Sequence, residues 1–361
     1  MRVLLITGSF PPDQCGVGDY SFNLAKALDS LPEIKIAVLT NCSSAHPASH
    51  ETFDLFPLIP KWRLSEIGKV IKVIREWTPD IVHIQYPTQG YQRGLLSWFI
   101  PLLAFCMGKT VVQTWHEFYR KKHIPQLFLK TIVPGGIIFV RPQYRENLSS
   151  FLQWSLWGKK TVQIENASTI PNVVLNQEET HRLRRTYLME QKRLVIFFGF
   201  VYEHKGVEQL FEIANPTTDQ IVIAGGMTQE DPYCQKVLRL AATTTWQGKA
   251  SVKGFLSNND IAALLSIADA VVLPFKIGGG EWNTSLHAAI LQGTFVITTS
   301  LNPCGYDTKQ NVYYAKPNDV MAMQAALQTY AGKRRPFSPD IDGDPWHQIA
   351  IKHQSFYLSV S

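Results

Sequence analysis

A glycine-rich stretch near residue 280 holds the densest group of residues that could bind an anion. Residues 278–285 read GGGEWNTS, with a single carboxylate at Glu281. The apolar run 268–275 precedes the stretch, and a helical pattern follows it. Helix N-termini bind phosphate through free N–H groups, and Asn, Thr and Ser are preferred helix caps. The stretch therefore predicts a phosphate site on a strand–loop–helix unit, with a plain capped loop as the alternative. The candidate donors are Asn283, Thr284, Ser285 and Leu286.

Two other loops have a similar form. GSFPPDQCGVGDYS (8–21) joins a strand to a helix, and Gly16 and Gly18 would let a ligand approach the backbone closely. Ser21 stands where a G-x-G-x-x-G motif would have its third glycine, so dinucleotide binding is not favoured. FGFVYEHKGVEQL (198–210) places Lys205 where an ammonium group could reach a diphosphate. A structural turn and an ordinary surface lysine are the respective alternatives.

Two histidines lie near predicted strand ends. His83 stands in DIVHIQYP and His116 in QTWHEF. A histidine in this position is often a buried structural residue, so neither is a site by itself. If the segment faces a phosphate site across a cleft, His116 is the better ligand or catalytic candidate.

Strand and helix patterns alternate in two successive series. Five short apolar runs between residues 2 and 140 and five more between 194 and 299 are typical of parallel strands covered on both faces. A charged connection (170–193) separates the series. We therefore expect an α/β chain of two Rossmann-like domains facing one another across a cleft. The expected domains are 1–170, joined by a C-terminal helix at 345–361, and 171–344.

Composition limits the class of protein. The chain has 361 residues, of which 45% are hydrophobic, enough for two cores. Five scattered cysteines without a Cys-x-x-Cys pair favour neither a disulfide framework nor a zinc site, and no signal peptide is apparent, so we expect a cytoplasmic protein. The longest apolar stretch (95–108) contains a proline and is shorter than the roughly 20 residues that span a membrane.

Positive charge is concentrated in the first half of the chain. Residues 1–170 hold 18 Lys and Arg against 12 Asp and Glu, whereas 171–361 hold 17 of each. This asymmetry fits an anionic partner, such as a membrane surface or a phosphate-linked acceptor. An ordinary solvated basic surface is the alternative, and no nucleic-acid partner is expected.

In their order along the chain, these segments resemble the retaining nucleotide-sugar glycosyltransferases of the GT-B fold, family four. FPPDQCGVGDYS is similar to that family's first glycine loop, VVQTWHEF to its active-site histidine segment, and IPNV to its interdomain turn. FFGFVYEHKGV, IAGG and SLHAAILQGTFVITTS are similar to segments of its donor-binding domain. The resemblance covers nearly the whole chain.

The resemblance implies a role for each candidate. The second domain would bind the nucleoside diphosphate of a sugar donor, and the basic first domain the acceptor. Lys205 would neutralise the diphosphate, and His116 would contact the transferred sugar. No metal ion is expected, because positive side chains and helix dipoles can stabilise the leaving diphosphate. The further donor contacts would be Gly16 and Gly18 from the first domain, Phe255 and Leu256 near the base, and Asn283 and the backbone of Thr284, Ser285 and Leu286.

The sequence departs from the family pattern at two points. Many members carry an Arg a few residues before the Lys, and here Phe200 and Tyr202 occupy the candidate positions. Members commonly have two Glu with seven residues between them, and here Gly280 and Ala288 align with them. Glu281 is displaced by one residue and could reach the sugar after a local shift. The ribose contact has no carboxylate replacement.

These observations predict a cytoplasmic, metal-independent, retaining glycosyltransferase with a nucleotide-sugar donor and no other cofactor. The acceptor would be a glycan or a lipid-linked glycan, in surface polysaccharide or glycoconjugate biosynthesis, with peripheral contact to the inner face of the membrane. A catalytically silent paralogue that serves as a scaffold is one alternative, motivated by the missing Arg and Glu. A sugar-nucleotide epimerase is another, and a nicotinamide oxidoreductase is disfavoured by the absent third glycine.

Overall fold

The computed structural model describes residues 1–361 except 14, 43–51, 93, 118–123, 143, 145–147, 149, 190–191, 229, 279–282 and 337–343. The chain divides into two compact units, Met1–Asn166 with Asp344–Ser361, and Ala167–Gly343. Each unit has one seven-stranded sheet whose strands alternate with helices along the chain. The prediction of two Rossmann-like domains is therefore confirmed.

The sheet of the first unit is wholly parallel and has the order β3-β2-β1-β4-β5-β6-β7. Its central strands are buried apolar runs, as expected for a sheet covered on both faces. The strand order reverses between β1 and β4. The strands are β1 Arg2–Ile6, β2 Lys35–Asn41, β3 Asp54–Ile59, β4 Ile81–Tyr86, β5 Thr110–Trp115, β6 Gly136–Phe139 and β7 Lys160–Gln163.

Six helices belong to the described part of the first unit, and the last of them comes from the far end of the sequence. This helix packs beside α1 and over β6, where a methyl group added to Gly136 would lie 2.6 Å from the ring of Phe356. The side chain of Asp344 caps it by accepting from the backbone N–H of His347 at 3.0 Å. The helices are α1 Gly16–Asp29, α2 Ile67–Trp77, α3 Leu96–Cys106, α4 Ile124–Thr131, α5 Ser150–Ser155 and α12 Pro345–Val360.

The sheet of the second unit has the order β10-β9-β8-β11-β12-β14-β13, with only β13 antiparallel to its neighbour. Its order reverses between β8 and β11. The strands are β8 Arg193–Phe198, β9 Asp219–Ala224, β10 Ala250–Gly254, β11 Ala270–Leu273, β12 Val296–Thr299, β13 Gly305–Asp307 and β14 Val312–Ala315.

The charged connection at 170–193 contains a helix of the second unit. Asn176 and Glu179 cap it reciprocally, each side chain bonded to the other residue's backbone N–H. Arg184 of this helix donates to Asp269, whose carboxylate also accepts from the N–H of Leu194 at 2.7 Å. The helices of this unit are α6 Gln177–Tyr187, α7 Leu210–Ile213, α8 Pro232–Ala241, α9 Asn258–Ile267, α10 Thr284–Leu291 and α11 Val320–Tyr330.

In the part of the chain that the structure describes, no helix combines the length and the apolar character needed to cross a bilayer. The longest apolar stretch noted in the sequence forms α3, which buries Leu96, Ile100 and Ala104 in the core of the first unit and contains Pro101.

Candidate functional site

Each sheet presents a candidate site where its strand order reverses. In open α/β sheets, ligands bind beyond the carboxyl ends of the strands at such a reversal. In the first unit this point lies between β1 and β4, and in the second between β8 and β11. All three predicted loops and His116 follow strands that flank or adjoin these two points.

The glycine loop of the first unit opens α1. Around Gly16 there is open space, since a methyl group added there would meet no atom within 4 Å. Gly18 is closely packed, and a methyl group there would lie 3.1 Å from the carbonyl oxygen of Ser9. Gly16 is therefore accessible at the first turn of a 14-residue helix, whereas Gly18 brings the helix against the end of β1.

His116 follows β5 and is almost completely buried. Its Nε2 lies 2.9 Å from the amide oxygen of Gln85 on β4, and its ring makes an edge contact with Tyr20, with centroids 4.7 Å apart. Burial, with smaller contributions from His353 and Arg141, lowers the pKa of His116 to about 3. The imidazole is therefore neutral at physiological pH, so it can bind a hydroxyl group but carries no charge for a phosphate.

Behind Gln85 lies a fully buried polar network that the sequence interpretation did not include. The Gln85 amide nitrogen is 3.2 Å from Nε2 of His83, which also lies 2.8 Å from the hydroxyl of Thr114. Nδ1 of His83 is 2.7 Å from the hydroxyl of Tyr357 on α12. His83 thus has a hydrogen-bond partner at each ring nitrogen. This arrangement fits a buried structural histidine.

A second contact from α12 reaches the ring that touches His116. Nδ1 of His353 lies 2.8 Å from the carbonyl oxygen of Ile349, and its Nε2 is 3.4 Å from the hydroxyl of Tyr20. Burial lowers the pKa of His353 to about 4 and raises that of Tyr20 above its ordinary value. No spacing in the sequence links these residues, because 333 positions separate Tyr20 from His353.

Asp19 is the acidic residue in the first turn of α1. Burial raises the pKa of its carboxyl group to about 6. A carboxylate near a helix N-terminus is normally stabilised by the helix dipole, so this shift shows that desolvation outweighs that effect here. Perturbed acids of this kind concentrate at functional sites.

In the second unit, Lys205 ends a short 3₁₀ turn (Glu203–Lys205) after β8. Its Nζ lies 4.3 Å from the centroid of the Phe275 ring, which follows β11. Gly206 comes next with φ +65°, and a methyl group on it would lie 2.2 Å from the carbonyl oxygen of Pro274. The loops after β8 and β11 are therefore in close contact, and they hold the lysine at the point of strand reversal.

The N-terminus of α10 lies beside the same loop. The Asn283 side chain caps the helix by accepting from the N–H of Ser285 at 3.0 Å, as the sequence pattern predicts for this position. A methyl group on Gly199, just beyond β8, would lie 3.1 Å from the Ser285 hydroxyl. Thr284 and Leu286 occupy the first turn of α10. The N-terminus of α10 is therefore next to the loop that carries Lys205.

An aromatic stack occupies the positions where related sequences carry Arg. The rings of Phe200 and Tyr202 are parallel with centroids 5.8 Å apart, and Tyr202 stacks in turn on His204 at 5.7 Å. A methyl group on Gly226 would lie 2.9 Å from the Phe200 ring. Tyr202 is partly exposed, so the stack offers an aromatic surface instead of a guanidinium.

The remaining predicted residues are less closely grouped. Phe255 and Leu256 follow β10, which lies two strands from β8, and Phe255 is more than half exposed. Their position does not place them against Lys205. Glu281 lies outside the described residues.

An ion cluster beneath the lysine loop was not predicted. Nζ of Lys276 is 2.7 Å from Oε1 of Glu208, which also lies 3.4 Å from Nζ of Lys236. The hydroxyl of Tyr233 donates to the same carboxylate. Although burial opposes ionisation, the bonds from Lys276 and Tyr233 hold the pKa of Glu208 below its usual value. The cluster fixes Lys276, the residue after Phe275, and so helps to hold the Phe275 ring that Lys205 contacts.

Comparison with known proteins identifies the second unit. Residues 192–332 match the family described as "Glycosyl transferases group 1". No curated protein matches the chain by sequence.

Solved structures match the fold over the whole chain. Sucrose-phosphate synthase of Thermosynechococcus elongatus is 15% identical with a TM-score of 0.72, covering 99% of this chain and 98% of its own. HepE of Anabaena, solved with UDP and glucose, is 13% identical with a TM-score of 0.72 and full coverage of both chains. The catalytic domain of starch synthase IV of Arabidopsis thaliana, bound to ADP and acarbose, is 12% identical with a TM-score of 0.71, covering 99% of each.

At these identities the structural matches show the fold, and the family match adds the class of enzyme. Residues 192–332 are therefore a glycosyltransferase group 1 domain, and the chain that carries it is a glycosyltransferase with the GT-B fold.

Proposed function

We propose that this protein transfers a sugar from a nucleoside-diphosphate donor to a glycan or lipid-linked acceptor, with retention of configuration and without a metal ion, as in family four. The observation that carries the proposal is that the loop after β8, which leads to Lys205, meets the N-terminus of α10 through Gly199 and Ser285 at the strand reversal of the second unit. The ammonium group and the helix N–H groups supply two sources of positive potential for a diphosphate. HepE and starch synthase IV were solved with UDP and ADP, which makes these the first nucleotides to test.

The proposed reaction breaks the bond between the sugar C1 and the diphosphate oxygen and forms a bond from C1 to an acceptor hydroxyl on the same face. The acceptor proton passes to the leaving diphosphate. Lys205 and the first turn of α10, with Asn283 capping it, offset the negative charge that grows on this group. The roles of Tyr202, Phe255, Leu256 and Glu281 in donor binding remain part of the proposal.

We propose that His116 contacts the transferred sugar. The backbone of Gly16 and Gly18 would contact the donor from the first unit. The neutral His116 ring suits a hydroxyl partner better than a charged phosphate. Open space at Gly16 leaves the backbone of the first turn of α1 accessible to a ligand.

Calorimetric titration with UDP, GDP and ADP in the presence of EDTA tests the donor site. One nucleotide should bind, and Lys205→Ala should weaken it about tenfold or more, since a charge-assisted contact contributes about 1.5–3 kcal/mol. Lys316→Ala, an exposed lysine of the same unit, is the matched control. Equal affinity in Lys205→Ala, or binding only when a divalent metal is present, would overturn this assignment.

Product analysis separates the transferase from its alternatives. Incubation of the matching nucleotide sugar with a mixed glycan acceptor should release nucleoside diphosphate and extend the acceptor with an anomer like that of the donor. Conversion of the donor sugar without an acceptor would favour an epimerase. Absence of nucleotide binding would favour a catalytically silent scaffold.

A lipid-linked acceptor is favoured by exposed apolar side chains on the first unit. α4 packs against α3 and α5, and these helices expose large apolar side chains. Trp154 is 67% and Trp157 81% exposed. Tryptophans favour the membrane–water interface, and the excess of positive charge in residues 1–170 would attract an anionic surface. The exposed apolar side chains on these helices and just beyond them are Phe105, Phe128, Ile132, Trp154 and Trp157.

Vesicle partitioning tests this surface. The wild type should bind vesicles containing phosphatidylglycerol more tightly than vesicles of phosphatidylcholine. A Trp154→Ser, Trp157→Ser double variant should lose about tenfold or more in partitioning, because burying each of the two side chains contributes up to about 1.5–3 kcal/mol. A Leu301→Ser, Met321→Ser variant removes two equally exposed side chains of the second unit and should bind as the wild type does. Equal binding to both lipids contradicts the proposal.

A further inference from the structure

Two chains of hydrogen bonds and ring contacts run from α12 to His116. The first passes from Tyr357 through His83 and Gln85, and the second from His353 through the Tyr20 ring. Every side chain in both chains is buried. Such networks fix the orientation of the group they end on, because each member has only one set of partners that satisfies it.

The first chain has a defined direction. An amide oxygen only accepts hydrogen bonds, so the 2.9 Å contact between Gln85 Oε1 and His116 Nε2 requires the hydrogen on Nε2. The amide nitrogen of Gln85 only donates, so Nε2 of His83 accepts at 3.2 Å. Nδ1 of His83 then carries its hydrogen and donates to the Tyr357 hydroxyl at 2.7 Å.

The consequence for His116 is a single tautomer. With hydrogen on Nε2 and a neutral ring, Nδ1 holds the lone pair. Within the described residues, no group forms a hydrogen bond with this nitrogen. It is therefore the atom of the ring that can accept a hydrogen bond from a ligand hydroxyl.

We infer that Gln85, backed by His83 and Tyr357, is a positioning residue that holds His116 as the Nε2–H tautomer with Nδ1 ready to accept from a sugar hydroxyl. The inference rests on the proposed function for the sugar contact, while the tautomer itself is a property of the protein without ligand. It requires the transferred sugar to present a hydroxyl donor to His116, so a donor that is deoxy or methylated at that position should be a poor substrate.

Nitrogen NMR of the full chain, labelled with ¹⁵N-histidine and without ligand at pH 8, tests the tautomer. His116→Gln assigns the resonances. In the wild type, His116 should show a protonated Nε2 and an unprotonated Nδ1. The opposite tautomer would overturn the inference whatever the activity of the enzyme.

Two substitutions at Gln85 separate positioning from packing. Gln85→Met keeps the approximate shape but removes the acceptor, so His116 should populate both tautomers. Gln85→Glu keeps an acceptor for Nε2–H and should restore the wild-type tautomer. An unchanged tautomer in Gln85→Met would overturn the role assigned to Gln85.

Tyr357→Phe tests the far end of the chain. Without this acceptor, the hydrogen of His83 should move to Nε2, where the Thr114 hydroxyl can accept it. The donor and acceptor roles along the chain of hydrogen bonds would then reverse, and His116 should shift toward the Nδ1–H tautomer. The same variant should lower kcat/KM about tenfold, the effect of one misdirected hydrogen bond, with nucleotide affinity unchanged. Ser359→Ala removes a different hydroxyl from α12 and should change neither quantity. A shifted tautomer with unchanged kcat/KM leaves the positioning intact and overturns the sugar contact.

Discussion

The ammonium nitrogen of Lys205 rests 4.3 Å from the centre of the Phe275 ring, so a cation from the loop after β8 is held by a ring from the end of β11. A buried ring of this kind limits the positions that a flexible lysine side chain can occupy. Cation–π contacts contribute about 0.5–1 kcal/mol at exposed sites. The contact therefore orients the ammonium group without neutralising its charge.

Phe275→Leu should weaken nucleotide binding about three- to fivefold, because the cation–π contact is lost while the charge remains. The measurement is calorimetric titration of the wild type, the two single variants and the Phe275→Leu, Lys205→Ala double variant. In the double variant the effect of Phe275→Leu should disappear. An undiminished effect of Phe275→Leu in the absence of Lys205 would show that the ring acts through packing alone.

Gly206→Ala should destabilise the protein much more than Gly254→Ala. Both glycines have positive φ, +65° and +69°, which costs about 1 kcal/mol for alanine. Only Gly206 faces a backbone oxygen at 2.2 Å, whereas Gly254 faces open space. We expect losses of about 3 and about 1 kcal/mol in the free energy of unfolding, measured by urea denaturation. Equal losses would contradict the packing at Pro274.

The stability of the protein should fall as the pH decreases from about 6.5 to 4. Burial lowers the pKa of His116 to about 3 and of His353 to about 4, and lowers that of His83 well below its ordinary value of 6.5. In this range the unfolded chain binds three protons that the folded chain excludes, so stability rises with pH. Asp19 opposes this trend by one proton, because its pKa is raised to about 6 in the folded protein.

The remaining difference of two protons gives a slope of about 3 kcal/mol per pH unit near pH 5. Urea midpoints at pH 5 and 7.5 measure it. His353→Gln should reduce the slope by about one proton. A flat profile would contradict the exclusion of protons from these three rings in the folded state.

Asp19→Asn should stabilise the protein at pH 8 by about 1–3 kcal/mol, because the ionised carboxylate is held in a desolvated position. The gain should shrink at pH 5, where the folded protein already has this group protonated. Thermal unfolding at both pH values measures the difference. If the same variant also loses transferase activity, Asp19 is retained for function at the expense of stability.

The alternating strand and helix patterns predicted most of the fold because each pattern depends on local burial. β3, β7, β14 and the antiparallel strand β13 were not predicted, since these strands lie at or beside sheet edges and lack a long apolar run. The connection at 170–193 was interpreted by its charge, although its Asn176 and Glu179 spacing is that of a capping box.

The candidate site was predictable where the residues are close in sequence. Asn283 caps α10 because cap preference is a local property. Gln85, Tyr20 and Tyr357 could not be found in this way, because their relation to His116 depends on parallel strand register and on a helix that returns from the end of the chain. Within β4 and β5, Gln85 pairs with Thr114, which lies two positions before His116.

The return of α12 to the first unit also orders events during synthesis. Residues 1–166 leave the ribosome first. The helix that packs on their sheet and supports His116 comes only after the whole of 167–343. Domains usually fold as units while the chain is being made, the N-terminal one first. Here the unit begun first is finished last, so a growing chain can complete its second unit before His116 acquires its support from α12.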